Sequence, residues 1–217
     1  MTTPHESDIE EHPMRWSSYA GADGLVRTAV RHEDRLHPAP TGTSLVELLG
    51  DDGIRLREAA EAALREPDVD PATVTLLPPV PRPPSIRDFM GFEEHVVTAS
   101  AAICLQVDPL WYSQPVFYFT NSAALRGAYD PVAISPGSRA FDYELEAAAV
   151  IGQEGSDLTP DAAALHIAGY VLFCDWSARD LHGEEMKLNL GPAKGKNSAS
   201  SCGPWMLTRT NFPQRPR

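Results

Sequence analysis

Residues 78–84 read Pro-Pro-Val-Pro-Arg-Pro-Pro, five prolines in seven positions. Each proline fixes its own φ and removes a backbone donor, so neither a helix nor an interior strand can cross this stretch. The segment must run extended, and as a semi-rigid connector over 78–85 it divides the chain into a small unit, 14–77, and a larger one, 86–217. In the first unit, Gly24-Leu25-Val26 and Thr28-Ala29-Val30 predict small strands. Ser44 with Glu47 three residues on has the form of a capping box, and 54–65 predicts a helix that Pro67 ends. In the second unit, Phe89, Phe92, Val96 and Ala99 at near-helical spacing predict a helix over 86–104. Strands are expected at 116–119, 132–134, 143–151, 167–175 and 205–207. Thr159 as cap and Pro160 at the first position start a short helix ending at Leu165. The sum is an α+β fold dominated by strands. Residues 1–13, acidic and without an apolar core, are expected to be disordered, and the stretch from Thr208 to the end is basic and proline-bearing.

Two of the strand-like runs are interrupted by acid. One is Phe141-Asp142-Tyr143-Glu144-Leu145-Glu146; the other is Cys174-Asp175-Trp176-Ser177. Residues two apart on a strand share a face, so Glu144 and Glu146 aim at one spot. Leu145 falls on the opposite face, and 147–151 continue as an expected buried strand. Two like charges that close repel, and burial makes the repulsion worse. A divalent cation relieves it, and all-oxygen ligation selects a hard ion such as Mg²⁺, Mn²⁺ or Ca²⁺. Two plainer readings stand beside this one: paired Glu as a solvated strand face, and Asp175 capping a turn through Ser177.

Composition narrows the field. At 42% hydrophobic and 22% charged residues the chain is that of an ordinary globular protein. A formal net charge of −12 argues against a nucleic-acid partner and against anionic membrane surfaces. It leaves room for a small anionic substrate, because local cations and a metal reverse the field within one cleft. The N-terminal residues lack a secretory pattern, and no run approaches the ~18 apolar residues of a membrane helix. Three cysteines, Cys104, Cys174 and Cys202, without metal-ligand spacing, fit reduced thiols in a cytoplasmic protein, with Cys174 a small core residue. His32, His37 and His166 read as surface residues.

Taken in order, these segments resemble the fumarylacetoacetate hydrolase family over 78–208, and more loosely from Met14. The words that carry the resemblance are Phe141-Asp142-Tyr143-Glu144-Leu145-Glu146, Ile167-Ala168-Gly169-Tyr170 and Asp175-Trp176-Ser177-Ala178-Arg179-Asp180, then Gly195-Lys196 before Cys202-Gly203-Pro204-Trp205. The resemblance implies a mixed β-sandwich roll, with the first unit as a small N-terminal α+β appendage, and a metal at the mouth of the roll. It implies Glu144, Glu146 and Asp175 as metal ligands, with Asp88 as a fourth in part of the family; capping of the predicted helix is the alternative for Asp88. His95, seven residues after Asp88, corresponds to the general base. Arg179 and Lys196 correspond to groups that bind substrate oxygens, with Arg179 pairing to Asp180 or Asp175 as the alternative, and with Lys194 close enough to compete with Lys196 for its place.

The implied chemistry is hydrolysis of a carbon–carbon bond in a β-diketo acid, with Mg²⁺ as the expected Lewis acid on the enolate and carbonyl oxygens and His95 taking a proton from water. Isomerisation or decarboxylation of a related 2-oxo dicarboxylic acid uses the same groups, and a non-catalytic partner subunit is the alternative from another class. A homodimer is expected by the same resemblance. The chain departs from the pattern where the family often carries Gln, here His182, and where one branch carries an acid three residues after the base, here Thr98. By comparison with the family pattern the catalytic domain is expected to lack its C-terminal part.

Overall fold

The computed structural model describes residues 14–51, 53–102 and 104–209. The expectations for 1–13 and for 210–217 lie outside the described residues.

The chain opens with a meander: β1 (Arg15–Ala20), β2 (Val26–His32) and β3 (Arg35–Pro38). A short 3₁₀ turn and α1 (Ile54–Ala63) follow, then β4 (Thr75–Leu77). Beyond the prolines come β5 (Ile86–Phe89), α2 (Glu93–Ala102), β6 (Phe117–Thr120) and β7 (Leu125–Gly127). The long strands β8 (Phe141–Ile151) and β9 (Ile167–Ala178) flank the one-and-a-half-turn α3 (Pro160–Leu165). The last elements are α4 (Arg179–Met186), β10 (Ser200–Cys202) and β11 (Met206–Thr208). Most strands form one sheet in the order β3-β2-β1-β11-β9-β10-β7, with β4 on β1 and β8 on β9. All pairings in it are antiparallel except β10 with β7. It is thus a mixed, largely antiparallel sheet, curled into a half-barrel with a small helical appendage. β5 and β6 pair apart from it.

This sheet crosses the proline segment. β1 pairs with β11, placing Trp16 opposite Met206, and both are fully buried. They join Val30, Leu45 and the inward stripe of α1, Leu56, Ala59, Ala60 and Ala63, in the largest core cluster. That stripe has the i, i+3, i+4 spacing of one helix face. The β9–β11 crossing is tight enough that a Cβ at Gly169 would run into the Leu207 carbonyl, so only glycine fits there.

One capping expectation met the structure unchanged. Thr159 Oγ1 accepts from Ala162 N at 3.3 Å ahead of Pro160, as a cap should. The Ser44 capping box is met only by half: Glu47 reaches back to Ser44 N at 2.7 Å, but Ser44 Oγ donates to the same carboxylate and caps no amide, and the turn is 3₁₀, ending at Leu48. Other expectations need correction. Residues 86–89 are a strand, because Ile86 to Phe89 pair in register with Thr120 to Phe117; the helix begins at Glu93. Residues 132–134 form no strand, since Pro131 and Pro136 bracket them and interrupt any ladder. The far half of β8 is not buried on both faces: exposed and half-buried residues alternate, with Leu145 70% and Ile151 62% exposed. Cys202, not Cys174, is the buried thiol. His37 Nδ1 is buried without a partner, and His166 is half-buried with Nδ1 against Gln153 O, so neither is a plain surface histidine.

One sheet built from both sides of the proline segment should unfold as one unit. Met206→Ala is expected to cost about 2–5 kcal/mol, as for other large-to-small core changes. It should shift a single denaturant transition seen identically by tryptophan fluorescence and far-ultraviolet circular dichroism. A separate N-terminal transition that Met206→Ala leaves in place would contradict the shared sheet.

Candidate active site

The β8–β9 register puts Glu144 directly opposite Asp175, with Glu146 opposite Phe173. Alternation then turns Glu144, Glu146 and Asp175 to the same side of the pair. Asp175 is fully buried. Lys196, itself 5% exposed, places Nζ 2.8 Å from Glu144 Oε2 and 2.7 Å from Asp175 Oδ2. Its ammonium therefore sits between the two opposed carboxylates and compensates both. Lys194 is excluded from this place: it is exposed, and its amide is taken by Glu185.

The β5–β6 hairpin brings a fourth acid. Asp88 pairs with Tyr118, whose hydroxyl lies 3.0 Å from Asp88 Oδ2 and also makes a short hydrogen bond to Asp175 Oδ2. Asp88 lies within a strand and so does not cap a helix. Burial, then its hydrogen bond to Asp175, holds the Tyr118 phenol above its usual range, so it remains a donor. Nothing in the sequence reading singled out Tyr118. The available signal was its place between Phe117 and Phe119 in an alternating strand, whose two rings face out while the phenol faces in.

Arg179, the first residue of α4, bonds Glu144 Oε1 and reaches Asp142 Oδ2 through Nε at 3.1 Å. It pairs with neither Asp180 nor Asp175. Asp180 instead accepts from Ser138 Oγ and Arg139 N, each at 2.7 Å, and Arg179 N bonds Ala140 O at 2.8 Å. These bonds fasten the loop before β8 to the start of α4. Ser177 Oγ donates to the Asp175 main-chain carbonyl at 3.3 Å and lies 3.5 Å from Glu144 Oε1, while the Asp175 carboxylate serves Tyr118 and Lys196, so Asp175 does not cap a turn through Ser177. His182, on α4, packs against Gly195, where a Cβ would come within 2.7 Å of its own. Burial, then the charge of Lys196, lowers its imidazole and favours the neutral ring. His95 lies exposed on α2, and its imidazole makes no hydrogen bond or ion pair among the described residues. No side-chain hydrogen bond or ion pair ties it to the cluster.

Electrostatics divides the acids by their partners. Burial opposes ionisation of Glu144, but the hydrogen bonds and charges of Lys196 and then Arg179 outweigh it and hold its carboxyl below the usual range. Glu146 has no such partner; burial, then the charges of Asp88, Asp175 and Glu144, pushes it up to about 8. Asp88 is raised by burial and by the charge of Asp175. Asp175 Oδ1 is buried with no hydrogen-bond partner.

Four carboxyls against Lys196 and Arg179, with one orphaned carboxylate oxygen among them, is the donor chemistry a hard divalent cation fits. As the side chains stand, with Lys196 between Glu144 and Asp175, no group of three or more His, Cys, Asp or Glu among the described residues is arranged to hold a metal. A cleft of about 480 Å³ lined by Tyr19, Arg27 and Thr43 lies at the N-terminal strands and includes none of these acids.

A family profile described as "Fumarylacetoacetate (FAA) hydrolase C-terminal" matches residues 85–217. The chain is 33% identical over 119 residues to a fumarylacetoacetase of Arabidopsis thaliana, covering 47% of this chain and 28% of that protein. It is 31% identical over 125 residues to a mitochondrial oxaloacetate tautomerase of Homo sapiens, covering 57% and 37%. The chain thus spans roughly a third of the length of these curated relatives. A fumarylacetoacetate hydrolase from psychrophilic Exiguobacterium antarcticum superposes with a TM-score of 0.66 at 24% identity, over 92% of this chain and 68% of that one. A maleylpyruvate hydrolase from Sphingobium sp. SYK-6, in complex with manganese(II) and pyruvate, gives 0.66 at 23% identity, over 93% and 69%. At these identities the solved structures establish the fold. Among the described residues no helix is long and apolar enough to cross a membrane.

The raised Glu146 carboxyl gives a pH signature. Its folded pKa of about 8 lies above the ordinary 4.5, so between those values the folded state holds a proton that the unfolded state has lost. Stability therefore falls as pH rises through this window. In chelator-treated buffer the native chain should lose stability from pH 5 to pH 8, and Glu146→Gln should flatten that loss, measured by urea midpoints. An equally steep loss in Glu146→Gln would contradict the assignment.

Proposed function

Because the chain belongs to the fumarylacetoacetate hydrolase family, we propose that it hydrolyses a carbon–carbon bond in a small anionic β-diketo acid of the fumarylacetoacetate or acylpyruvate type. The observation that carries this reading is the acid cluster on β8 and β9, where opposed Glu144 and Asp175 share one buried ammonium while, among the described residues, Glu146 makes no ion pair of its own and Asp175 Oδ1 has no hydrogen-bond partner. Buried uncompensated acid is costly and calls for a ligand.

Glu144, Glu146 and Asp175, with Asp88, would hold the cation, Mg²⁺ foremost and Mn²⁺ or Ca²⁺ by the same donor chemistry. When bound it supplies a Lewis acid that polarises the keto oxygens of the substrate. The chain's own groups do the rest. Lys196 and Arg179 offer the positive charge that holds the substrate's oxygens and stabilises negative charge as it develops. The neutral ring of His182 provides a polar contact at the position where relatives often use an amide. His95 takes a proton from water, whose oxygen bonds to the acyl carbonyl carbon as that carbon's bond to the adjacent methylene breaks. The methylene carbon receives a proton, giving one carboxylic acid and one 2-oxo acid. The protein is proposed to act in the cytoplasm, as a homodimer.

A second reading has its own support. The oxaloacetate tautomerase among the relatives moves the proposal toward keto–enol isomerisation on the same groups, with proton transfer and no bond to water. Product analysis separates the two readings.

With Mg²⁺ or Mn²⁺ present, an acylpyruvate should be converted to pyruvate and a carboxylic acid by the native chain. The Glu144→Ala, Glu146→Ala double variant should be inactive. His95→Ala should lower kcat by about 10²–10⁴-fold, the range for a lost general base. Equal turnover by native and double variant would sink the enzymatic reading. A metal-induced rise in melting temperature with no turnover would favour a cation held for structure alone.

A further inference from the structure

Lys196 is delivered to the acids by an irregular segment, residues 191–199, and not by a strand or helix. A flexible four-carbon side chain on a loop is a poor means of placing an ammonium within hydrogen-bond distance of two fixed carboxylates. Something must fix the backbone below it. The structure supplies an unusual fastening one helix away. Glu185, in the last turn of α4, turns its carboxylate onto the main chain of this loop. Glu185 Oε2 accepts from Ala193 N at 3.0 Å and from Gly195 N at 3.0 Å, and Oε1 accepts from Lys194 N at 2.6 Å. Three successive amides are thus gathered on one carboxylate.

The remaining loop contacts lock onto this grip. Lys196 N bonds Ala193 O at 3.1 Å, closing a turn directly before the ammonium-bearing residue. Ala178 N bonds Gly195 O at 2.8 Å, tying the turn to the end of β9, three residues beyond Asp175. Gly195 is buried against His182 with no room for a side chain, so the loop has one seat. Charge-assisted bonds from backbone amides to carboxylate are stronger than neutral ones. Against the cost of burial, they also hold the Glu185 carboxyl below its usual range.

We propose that Glu185 is a positioning residue: by gripping the amides of Ala193, Lys194 and Gly195 it fixes the loop from which Lys196 reaches between Glu144 and Asp175. Glu185 touches neither acid and takes no part in bond making. The inference rests on the reading of Lys196 as the group that stabilises developing charge, and it gives α4 two tasks, with Arg179 at its start and the loop clamp at its end.

The test reads Lys196 itself. Lysine acetylation by an amine-reactive ester, followed by mass spectrometry, measures how often Nζ leaves its carboxylates. In the native chain Lys196 should label slowly, being 5% exposed, and Lys187, 67% exposed, should label fast. Glu185→Ala should speed labelling of Lys196 by roughly tenfold or more while leaving Lys187 unchanged, as expected when several charge-assisted bonds are lost. Glu185→Gln keeps one acceptor oxygen and should fall between. Unchanged Lys196 labelling in a folded Glu185→Ala chain overturns the proposal. If that variant does not fold, unchanged labelling in Glu185→Gln does the same. Full turnover by Lys196→Met would instead remove the catalytic role of Lys196 and leave the labelling result standing.

Discussion

The pairing of β8 with β9, from Phe141 opposite Ala178 to Ile151 opposite Ile167, is the constraint on which the site depends. It fixes Glu144 across from Asp175, and with one residue of slip the acids would leave that face altogether. Two opposed carboxylates, one of them fully buried, repel strongly unless a cation lies between them. Lys196 meets that requirement, and removing one member of such a buried arrangement costs about 3–5 kcal/mol in comparable cases. The rest of the site follows from delivering that ammonium. β9 runs into α4, so Arg179 arrives beside Glu144; the loop behind α4 is pinned to the end of β9 and returns Lys196 to the same place.

The compensation is incomplete, and the proposed function enters at that imbalance. Glu144 is held ionised by two cations, whereas Glu146 is driven toward its neutral form by burial and then by three neighbouring acids. A site built only for stability would replace these groups with apolar residues of similar size, which is often neutral or favourable. On the proposed reading, carboxyls kept in this state take a positively charged ligand. Tyr118 adds a hydroxyl that serves Asp88 and Asp175 together, linking the separate β5–β6 hairpin to the main sheet at the acids.

Much of this was legible from residue order because strands announce themselves by alternation. Glu144 and Glu146 two apart, and Asp175 in a second apolar run, come to one face of the β8–β9 pair. What was misread has particular causes. β5 is four residues long and stands next to aromatic residues at helical spacing, so 86–89 read as the start of a helix and left capping open as the alternative for Asp88. α4 is polar and short, with no apolar stripe to mark it, and its partners, Asp142 for Arg179 and the loop amides for Glu185, are set by tertiary contact. The proline segment does break secondary structure, yet it does not part the sheet, because β1 and β11 meet from opposite ends of the chain. Strand pairing over that separation leaves no local trace in sequence.

The most direct measurement is an anomalous difference map from crystals of this chain grown with Mn²⁺. One strong peak is expected against the carboxylates of Glu144, Glu146 and Asp175, with the Lys196 ammonium displaced from between Glu144 and Asp175. A well-ordered site without a peak there, at Mn²⁺ concentrations that saturate ordinary carboxylate sites, would contradict it.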